Sequence, residues 1–209
     1  MEYNISMIVN DKTNPLEKIR TILKDRNGFL LTSDLFNHGI PRSYLSILEK
    51  GGEIQRISRG AYAAPGTLVD EMFVIQARYK AAIFSHETAA YLLDLADRTP
   101  LHYSVTVPSR YNATSLKAMG VKVYFVNRRL YRLGSIKMKS PGGNDVRTFD
   151  LERTVCDVLR SRNQMDIQQV NEALKRYARK REKNLDLLDQ YARQFGIQKI
   201  VRETLEVLL

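Results

Sequence analysis

The stretch that most constrains the fold is GIPRSYLSILEKGGEIQRISRGAY, at residues 39–62. A proline opens a short amphipathic segment, a Gly-Gly pair ends it, and an alternating segment then runs through an Arg-Gly turn. Proline in the first turn and glycine just past the end are typical boundaries of a helix. Alternation on both sides of a tight turn is typical of a β-hairpin. The stretch therefore predicts a short helix followed at once by a two-stranded hairpin.

Two further helices are predicted ahead of this stretch. The first begins after Asn14, its N-cap, and ends at Gly28. The second is short, and we expect Thr32 to cap it and Leu35 and Phe36 to point inward. Three helices followed by a hairpin predict a winged helix-turn-helix, in which one face of the third helix docks on its partners and the other enters a DNA major groove.

Polar side chains of this N-terminal region are the candidates for DNA contact. Residues near the start of a recognition helix usually reach base edges, and the tip of the hairpin reaches neighbouring phosphates or the minor groove. The same module also serves in protein docking, and residues 1–64 hold 9 basic against 7 acidic residues, a modest excess. DNA binding is the favoured interpretation. The predicted DNA-binding residues are Thr32, Ser33, Arg42, Ser43, Tyr44, Ser46, Lys50 and Arg59.

Most of the excess positive charge lies in mid-chain. Residues 100–149 hold 9 basic residues and one acid, Asp145, in a chain whose formal net charge is +10. Alternation places Lys137 and Lys139 on the same solvated face of a strand. A solvated sheet face would explain a few lysines, but so many like charges repel one another unless a polyanion binds them. The predicted DNA- or polyanion-binding block comprises Arg110, Lys117, Lys122, Arg128, Arg129, Arg132, Lys137 and Lys139.

Other residues narrow the class of protein. Cys156 is the single cysteine, so no intrachain disulfide is expected, a reducing cytoplasm fits, and its apolar neighbours predict a buried thiol. His38, His86 and His102 lie far apart in sequence, so we expect neither a metal nor a cofactor. Residues 1–12 have no basic n-region, and no segment approaches ~20 apolar residues, so neither a secretion signal nor a membrane span is expected.

Residues 65–209 are predicted to form a second domain, with a Pro-Gly pair at its boundary. Strand patterns recur within 102–126, and helical patterns fill the chain from residue 150 onward. Asp150 is expected to cap the first of these helices, where Arg153 and Asp157 are four residues apart and can pair. The predicted fold class is α+β, with an N-terminal winged helix-turn-helix followed by a mixed α/β domain that ends in a helical bundle.

In these patterns the chain resembles the AbiE-type antitoxins, bacterial abortive-infection proteins of type IV toxin–antitoxin systems. The resemblance rests on residues 39–62, on FSHETAAYLLDLADRTP at 84–100, on HYSVTVPS at 102–109, on RTFDLERTVCDVLR at 147–160 and on the segment 171–208. It covers nearly the whole chain in order, and residues 1–12 are matched least.

The resemblance implies a bifunctional protein of phage defence with no catalysis of its own. Its winged helix would repress the operon of antitoxin and toxin by binding inverted repeats in the promoter, where two copies could bind cooperatively. Its C-terminal domain would counteract a nucleotidyltransferase toxin without a stable complex. By position, Arg42, Ser43, Ser46 and Lys50 fall on the recognition helix and Arg59 on the wing. The basic block would extend the DNA footprint, or engage RNA or the toxin, and the sequence leaves these open.

Two other functions fit parts of the sequence. A transcription factor that senses a small molecule through its C-terminal domain fits the winged helix equally well but leaves the basic block unexplained. A nuclease-like enzyme would use the acids clustered near the block, which are Asp145, Asp150, Glu152 and Asp157. However, Asp150 suits a helix cap, Asp157 has Arg153 as a partner, and no acid-x-Lys strand pattern is present for a metal-dependent phosphodiester site.

Overall fold

The computed structural model of the protein describes residues 14–208, so the expectation for residues 1–12 lies outside this range. The chain divides into two compact units, unit 1 up to Val69 and unit 2 from Asp70. The predicted boundary at 64/65 lies shortly before this division. Both units combine helices with strands, which confirms the predicted α+β class.

The described part of unit 1 contains three helices and three short strands. They are α1 (Pro15–Asp25), β1 (Phe29–Leu31), α2 (Thr32–Asn37), α3 (Ser43–Lys50), β2 (Gln55–Ser58) and β3 (Ala61–Ala63). The strands pair antiparallel in the order β1-β3-β2, so the predicted hairpin gains a third strand. Asn14 caps α1 as predicted, because its Oδ1 accepts the N–H of Leu16 at 3.0 Å.

The predictions for α2 are wrong in two respects. Phe36 is 79% exposed, because Leu35 takes the inward position and the next residue on a helix turns by about 100°. Thr32 is the first residue of the helix rather than its cap. The Asp34 carboxylate instead closes the start of α2 by accepting the N–H of Leu31 at 2.8 Å.

The described strands of unit 2 form a five-stranded sheet in the order β6-β5-β4-β8-β7. They are β4 (Ile83–Phe84), β5 (Ser104–Pro108), β6 (Lys122–Val126), β7 (Ser135–Lys139) and β8 (Asp145–Phe149). Strands β5 and β6 run parallel, as do β4 and β8, while the other neighbours are antiparallel. A parallel pair needs a crossover connection, and the helix α6 (Thr114–Ala118) lies between β5 and β6 in the chain.

The other helices of unit 2 are α4 (Glu71–Arg78), α5 (His86–Leu92), α7 (Leu151–Arg160), α8 (Ile167–Arg179), α9 (Leu185–Phe195) and α10 (Gln198–Leu208). Helix α7 is buried over most of its length and shares one apolar core with α8 to α10. Asp150 caps α7 as predicted, since its Oδ1 accepts the N–H of Arg153 at 2.8 Å. Cys156 lies in this core, as expected, and burial raises the pKa of its thiol to about 12. None of the helices within residues 14–208 is long and apolar enough to cross a membrane.

Candidate nucleic-acid interface

The outer face of α3 carries an exposed polar surface. Ser43, Ser46, Ile47 and Lys50 recur at helical spacing and are all exposed, as is Arg42 in the turn before the helix. The opposite face docks on the core of unit 1 through two buried leucines. The structure therefore places the predicted polar residues on one accessible face, and their role in DNA binding stays a prediction.

Two residues of α3, Tyr44 and Ile47, differ from the exposed polar residues of this face. Tyr44 is half-buried and packs against the core of unit 1, so most of its ring is not available to a partner. Ile47, which the sequence analysis missed, is 53% exposed in the middle of the polar face. An apolar side chain among polar ones can contact a thymine methyl group in the major groove.

The hairpin turn lies beside the start of α2. The N–H of Thr32 donates to the carbonyl oxygen of Gly60 at 2.9 Å, and Gly60 has a φ of 81°, which favours glycine. Arg59 at this turn is exposed, Ser33 is exposed, and Thr32 is half-buried. The structure thus brings together the predicted residues of the hairpin and of α2.

Ion pairs neutralise some of the cations of unit 1 and leave others unpaired. Arg20 of α1 binds Glu53 through two hydrogen bonds of 2.8 Å, and this contact lowers the pKa of the Glu53 carboxyl. Arg26 pairs with the buried Asp34 at 3.1 Å. Four cations of α3, its leading turn and the hairpin have no ion pair among the described residues, and these are Arg42, Lys50, Arg56 and Arg59.

Half of the basic block of unit 2 gathers around one cavity. Its volume is about 680 Å³, and it is lined by Pro108, Ser109, Arg110, Tyr111, Arg128, Arg129, Tyr131 and Arg132. We call this site the arginine cavity. All four arginines are exposed, and none has an ion pair among residues 14–208.

The parallel pairing of β5 and β6 explains why distant residues meet there. The carboxyl ends of parallel strands lie at the same edge of a sheet, so the loops that follow Pro108 and Val126 are neighbours. The N–H of Ser109 donates to the carbonyl oxygen of Val126 at 2.7 Å and joins the two loops. Arg110 stands on one loop, and the other three arginines stand on the second.

A buried arginine holds the second loop from below. Arg153 is 0% exposed, and its Nη1 donates to the carbonyl oxygens of Leu130 at 2.9 Å and Leu133 at 2.8 Å. Its Nε donates to Asp157 at 3.0 Å, which confirms the predicted pair. The hydroxyl of Tyr131 donates to the carbonyl oxygen of Ala81 at 2.5 Å. The loop is therefore anchored at several backbone and side-chain positions before any ligand binds.

The lysines of the block do not join the arginine cavity. Lys122 is half-buried, pairs with Glu87 at 2.7 Å and donates to the carbonyl oxygen of Gln164 at 2.8 Å, so its charge is already neutralised. Lys137 and Lys139 are exposed on β7, at the opposite edge of the sheet from β6, and Lys139 pairs with Asp145 at 2.7 Å. Lys117 is exposed, and its ammonium lies 5.7 Å from the ring centre of Phe125.

The acids considered for a nuclease are all engaged in structural contacts. Asp150 caps α7 and accepts the hydroxyl of Tyr191 at 3.0 Å, while buried Glu152 accepts the N–H of Asn184 at 2.7 Å. Asp157 is buried between two arginines, and Asp145 of β8 pairs with Lys139 of β7. In the part of the chain that the structure describes, no group of three or more His, Cys, Asp or Glu side chains could hold a metal ion.

His86 begins α5 and is buried. Its ring stacks on that of Tyr124 with 3.4 Å between centroids, and its nitrogens lie 2.9 Å from Ser85 Oγ and 3.0 Å from Ser161 Oγ. Burial, followed by the nearby positive charge of Arg153, lowers the pKa of His86 well below its ordinary value. The imidazole is therefore neutral in the folded protein.

Comparisons with known proteins identify the segment that contains α3. Residues 17–65 match the family model described as "Transcriptional regulator, AbiEi antitoxin", which confirms the resemblance predicted from the sequence over that segment. None of the curated proteins compared with the chain matches it. One similar solved structure is titled "Crystal structure of RV2827C protein from Mycobacterium tuberculosis", with 14% identity, a TM-score of 0.46, and coverage of 93% of this chain and 81% of that chain.

Proposed function

We propose that the protein is the antitoxin of a bacterial type IV toxin–antitoxin system and represses the operon that encodes it. Unit 1 is a winged helix-turn-helix in this proposal, with α3 as the recognition helix and the β2–β3 hairpin as the wing. Two copies bind the inverted repeats of the promoter. Unit 2 ends in a helical bundle and counteracts a nucleotidyltransferase toxin without a stable complex. The protein catalyses no reaction itself and acts in the cytoplasm, in defence against phage.

The observation that supports the proposal most is the outer face of α3. Its cations and hydroxyl groups are exposed, and Arg42 and Lys50 have no ion pair among the described residues, so unpaired positive charge is present where a recognition helix would meet DNA. This face lies inside the segment matched by a family of transcriptional regulators. The Arg42 guanidinium could donate to O6 and N7 of a guanine, and Ile47 could contact a thymine methyl group.

Fluorescence anisotropy with the DNA upstream of the operon tests the recognition helix. Arg42→Ala should weaken binding to the inverted repeats by about 1–3 kcal/mol and relax the base preference, because a base-edge contact is lost. Lys24→Ala removes the same charge from the last turn of α1 and should weaken binding far less at the same salt concentration. Equal losses in the two variants would contradict the assignment of α3 as the recognition helix.

Co-expression with the nucleotidyltransferase toxin that the proposal implies tests the antitoxin role. The wild-type protein should restore growth, and the Arg42→Ala/Arg59→Ala double variant should restore it equally when both are expressed from the same inducible promoter. The reason is that the proposal assigns rescue to unit 2 and operator binding to unit 1. Failure of the wild type to restore growth would contradict the antitoxin role, and failure of the double variant alone would contradict this division of labour.

A further inference from the structure

The arginine cavity is a site of a different kind from the outer face of α3. We propose that it binds the condensed phosphates of a nucleotide, either free in solution or at the 5′ end of an RNA. The inference goes beyond the proposed function, because it concerns unit 2 alone and does not require operator binding by unit 1.

The charge of the cavity calls for an anion with several phosphate groups. Its four arginines have no ion pair among the residues that the structure describes. Like charges lining one cleft repel one another and focus a positive potential, so an anion between them stabilises the arrangement. A guanidinium presents donors in a planar fork that matches two oxygens of a phosphate. A chain of condensed phosphates offers four guanidinium groups more acceptor oxygens than a single phosphate does.

The shape of the cavity favours a small ligand. Its volume of about 680 Å³ lies within the range of about 300–1,000 Å³ that small-molecule sites occupy. Tyr111 and Tyr131 contribute aromatic walls, and stacking of a base on an aromatic side chain contributes about 1–3 kcal/mol. A concave site with cations and aromatic rings suits the two parts of a nucleotide, its phosphates and its base.

The position of the cavity in the fold also supports ligand binding. It lies where the chain leaves the carboxyl ends of the parallel strands β5 and β6, the edge at which open α/β sheets bind their ligands. The second loop is fixed in advance by Arg153 and by the hydroxyl of Tyr131. On the first loop, Arg110 has a φ of 73°, a left-handed conformation that non-glycine residues adopt at a cost and that concentrates at binding sites.

Calorimetric titration of the full-length protein with inorganic tripolyphosphate tests the proposal. Arg128→Gln/Arg132→Gln should weaken binding roughly thirtyfold or more, because charge-assisted hydrogen bonds are lost. The matched control, Lys137→Gln/Lys139→Gln, removes the same charge from β7 at the opposite edge of the sheet and should weaken binding by no more than about threefold. Both variants keep Arg153 and Tyr131, and circular dichroism melting checks that they fold.

Nucleotide titrations then identify the source of the phosphates. A preference for ATP or GTP would assign a free nucleotide, and a preference for 5′-triphosphorylated RNA over 5′-hydroxyl RNA of the same sequence would assign an RNA end. Either result supports the proposal. Equal binding of the two RNAs without nucleotide binding, equal losses in the two double variants, or no binding of tripolyphosphate at millimolar concentration would overturn it. None of these outcomes bears on operator binding, which the Arg42→Ala test measures separately.

Discussion

The outer face of α3 and the arginine cavity both present unpaired cations, but they are supported in different ways. Helix α3 has one buried face and one exposed face. The side chains that pack against the core of unit 1 are not those that face outward. In the cavity, three of the four arginines stand on a loop whose backbone carbonyls are held by Arg153, a residue of the buried core. The first surface is a property of a helix, and the second is a property of a whole domain.

This difference predicts whether the binding residues of each region can be replaced without loss of stability. Residues of the α3 face can change without disturbing Leu45 and Leu48, because the two sets contact different surroundings. The cavity offers no such separation at Arg153, since the same guanidinium pairs with Asp157 and holds the loop. Four experiments test this contrast, beginning with the one that should have the largest effect.

Replacing Arg153 with leucine should lower the free energy of unfolding of unit 2 by about 3–5 kcal/mol, because a buried ion pair loses one partner. The carbonyl oxygens of Leu130 and Leu133 would also lose their donor. Hydrogen exchange of residues 70–208 measures both effects. Protection should fall in α7 and in the loop 127–134, which carries three of the four arginines of the cavity and is called the arginine loop below. Arg160→Leu is the control, because Arg160 pairs with the same Asp157 but is 31% exposed. Equal effects of the two substitutions would refute a special role of Arg153.

In unit 1, neighbouring residues of α3 should behave in opposite ways. Leu48 is 1% exposed, so Leu48→Ala should destabilise unit 1 by about 2–4 kcal/mol through the lost apolar contacts and the cavity left behind. Ile47→Ala on the outer face should change stability by only about 0.5 kcal/mol, yet should weaken operator binding. Urea unfolding and anisotropy measure the two properties. A loss of stability in Ile47→Ala as large as that in Leu48→Ala would show that the two faces are not separable.

Acidification should also distinguish the two regions, since unit 2 buries a histidine whereas His38 of unit 1 is exposed. The folded-state pKa of His86 lies well below its unfolded value, so the unfolded chain binds the proton first as the pH falls. The stability of unit 2 should therefore be greatest above the pKa that His86 has in the unfolded chain, and it should fall by about 1 kcal/mol between pH 7.5 and 5.5.

His86→Asn tests this assignment, because asparagine tolerates the φ of 51° at that position. The variant should be less stable at neutral pH, since it loses the stack on Tyr124, but its stability should change little between pH 7.5 and 5.5. His102→Gln, at an exposed position, should keep the wild-type slope. An unchanged slope in His86→Asn would assign the pH dependence to other groups.

The same contrast explains how much the sequence could reveal. Helix α3 and the hairpin follow from local periodicity and turn residues, so both were predictable. The outward direction of Phe36 was not predictable, because a helix of 6 residues has too few apolar positions to fix which one faces the core. Ile47 escaped notice because nothing in the sequence marks an apolar residue on a short helix as exposed.

The arginine cavity was less accessible to sequence reasoning. Its arginines were identified as a basic block, but Arg110 meets the other three only because β5 and β6 pair in parallel, and pairing is a long-range property. Lys122 was counted in the block because its partner, Glu87, lies outside the segment over which charge was summed. A net charge along the chain therefore locates the region of a polyanion site but not its members.

The smallest effect should come from the hydroxyl group that ties the arginine loop to Ala81. Tyr131→Phe removes only this donor and should lower the stability of unit 2 by about 0.5–1.5 kcal/mol, the usual contribution of one hydrogen bond. Burial raises the pKa of Tyr131, so the hydroxyl stays protonated and the comparison holds across neutral pH.

Tyr111→Phe is the matched control in the same cavity, since no hydrogen bond of the Tyr111 hydroxyl is found among the described residues. If the loop is held in place as the structure indicates, Tyr131→Phe should weaken tripolyphosphate binding more than Tyr111→Phe does, although neither hydroxyl carries charge. Equal binding by the two variants would mean that the loop needs no anchor and that the cavity, like the face of α3, can be altered independently of its support.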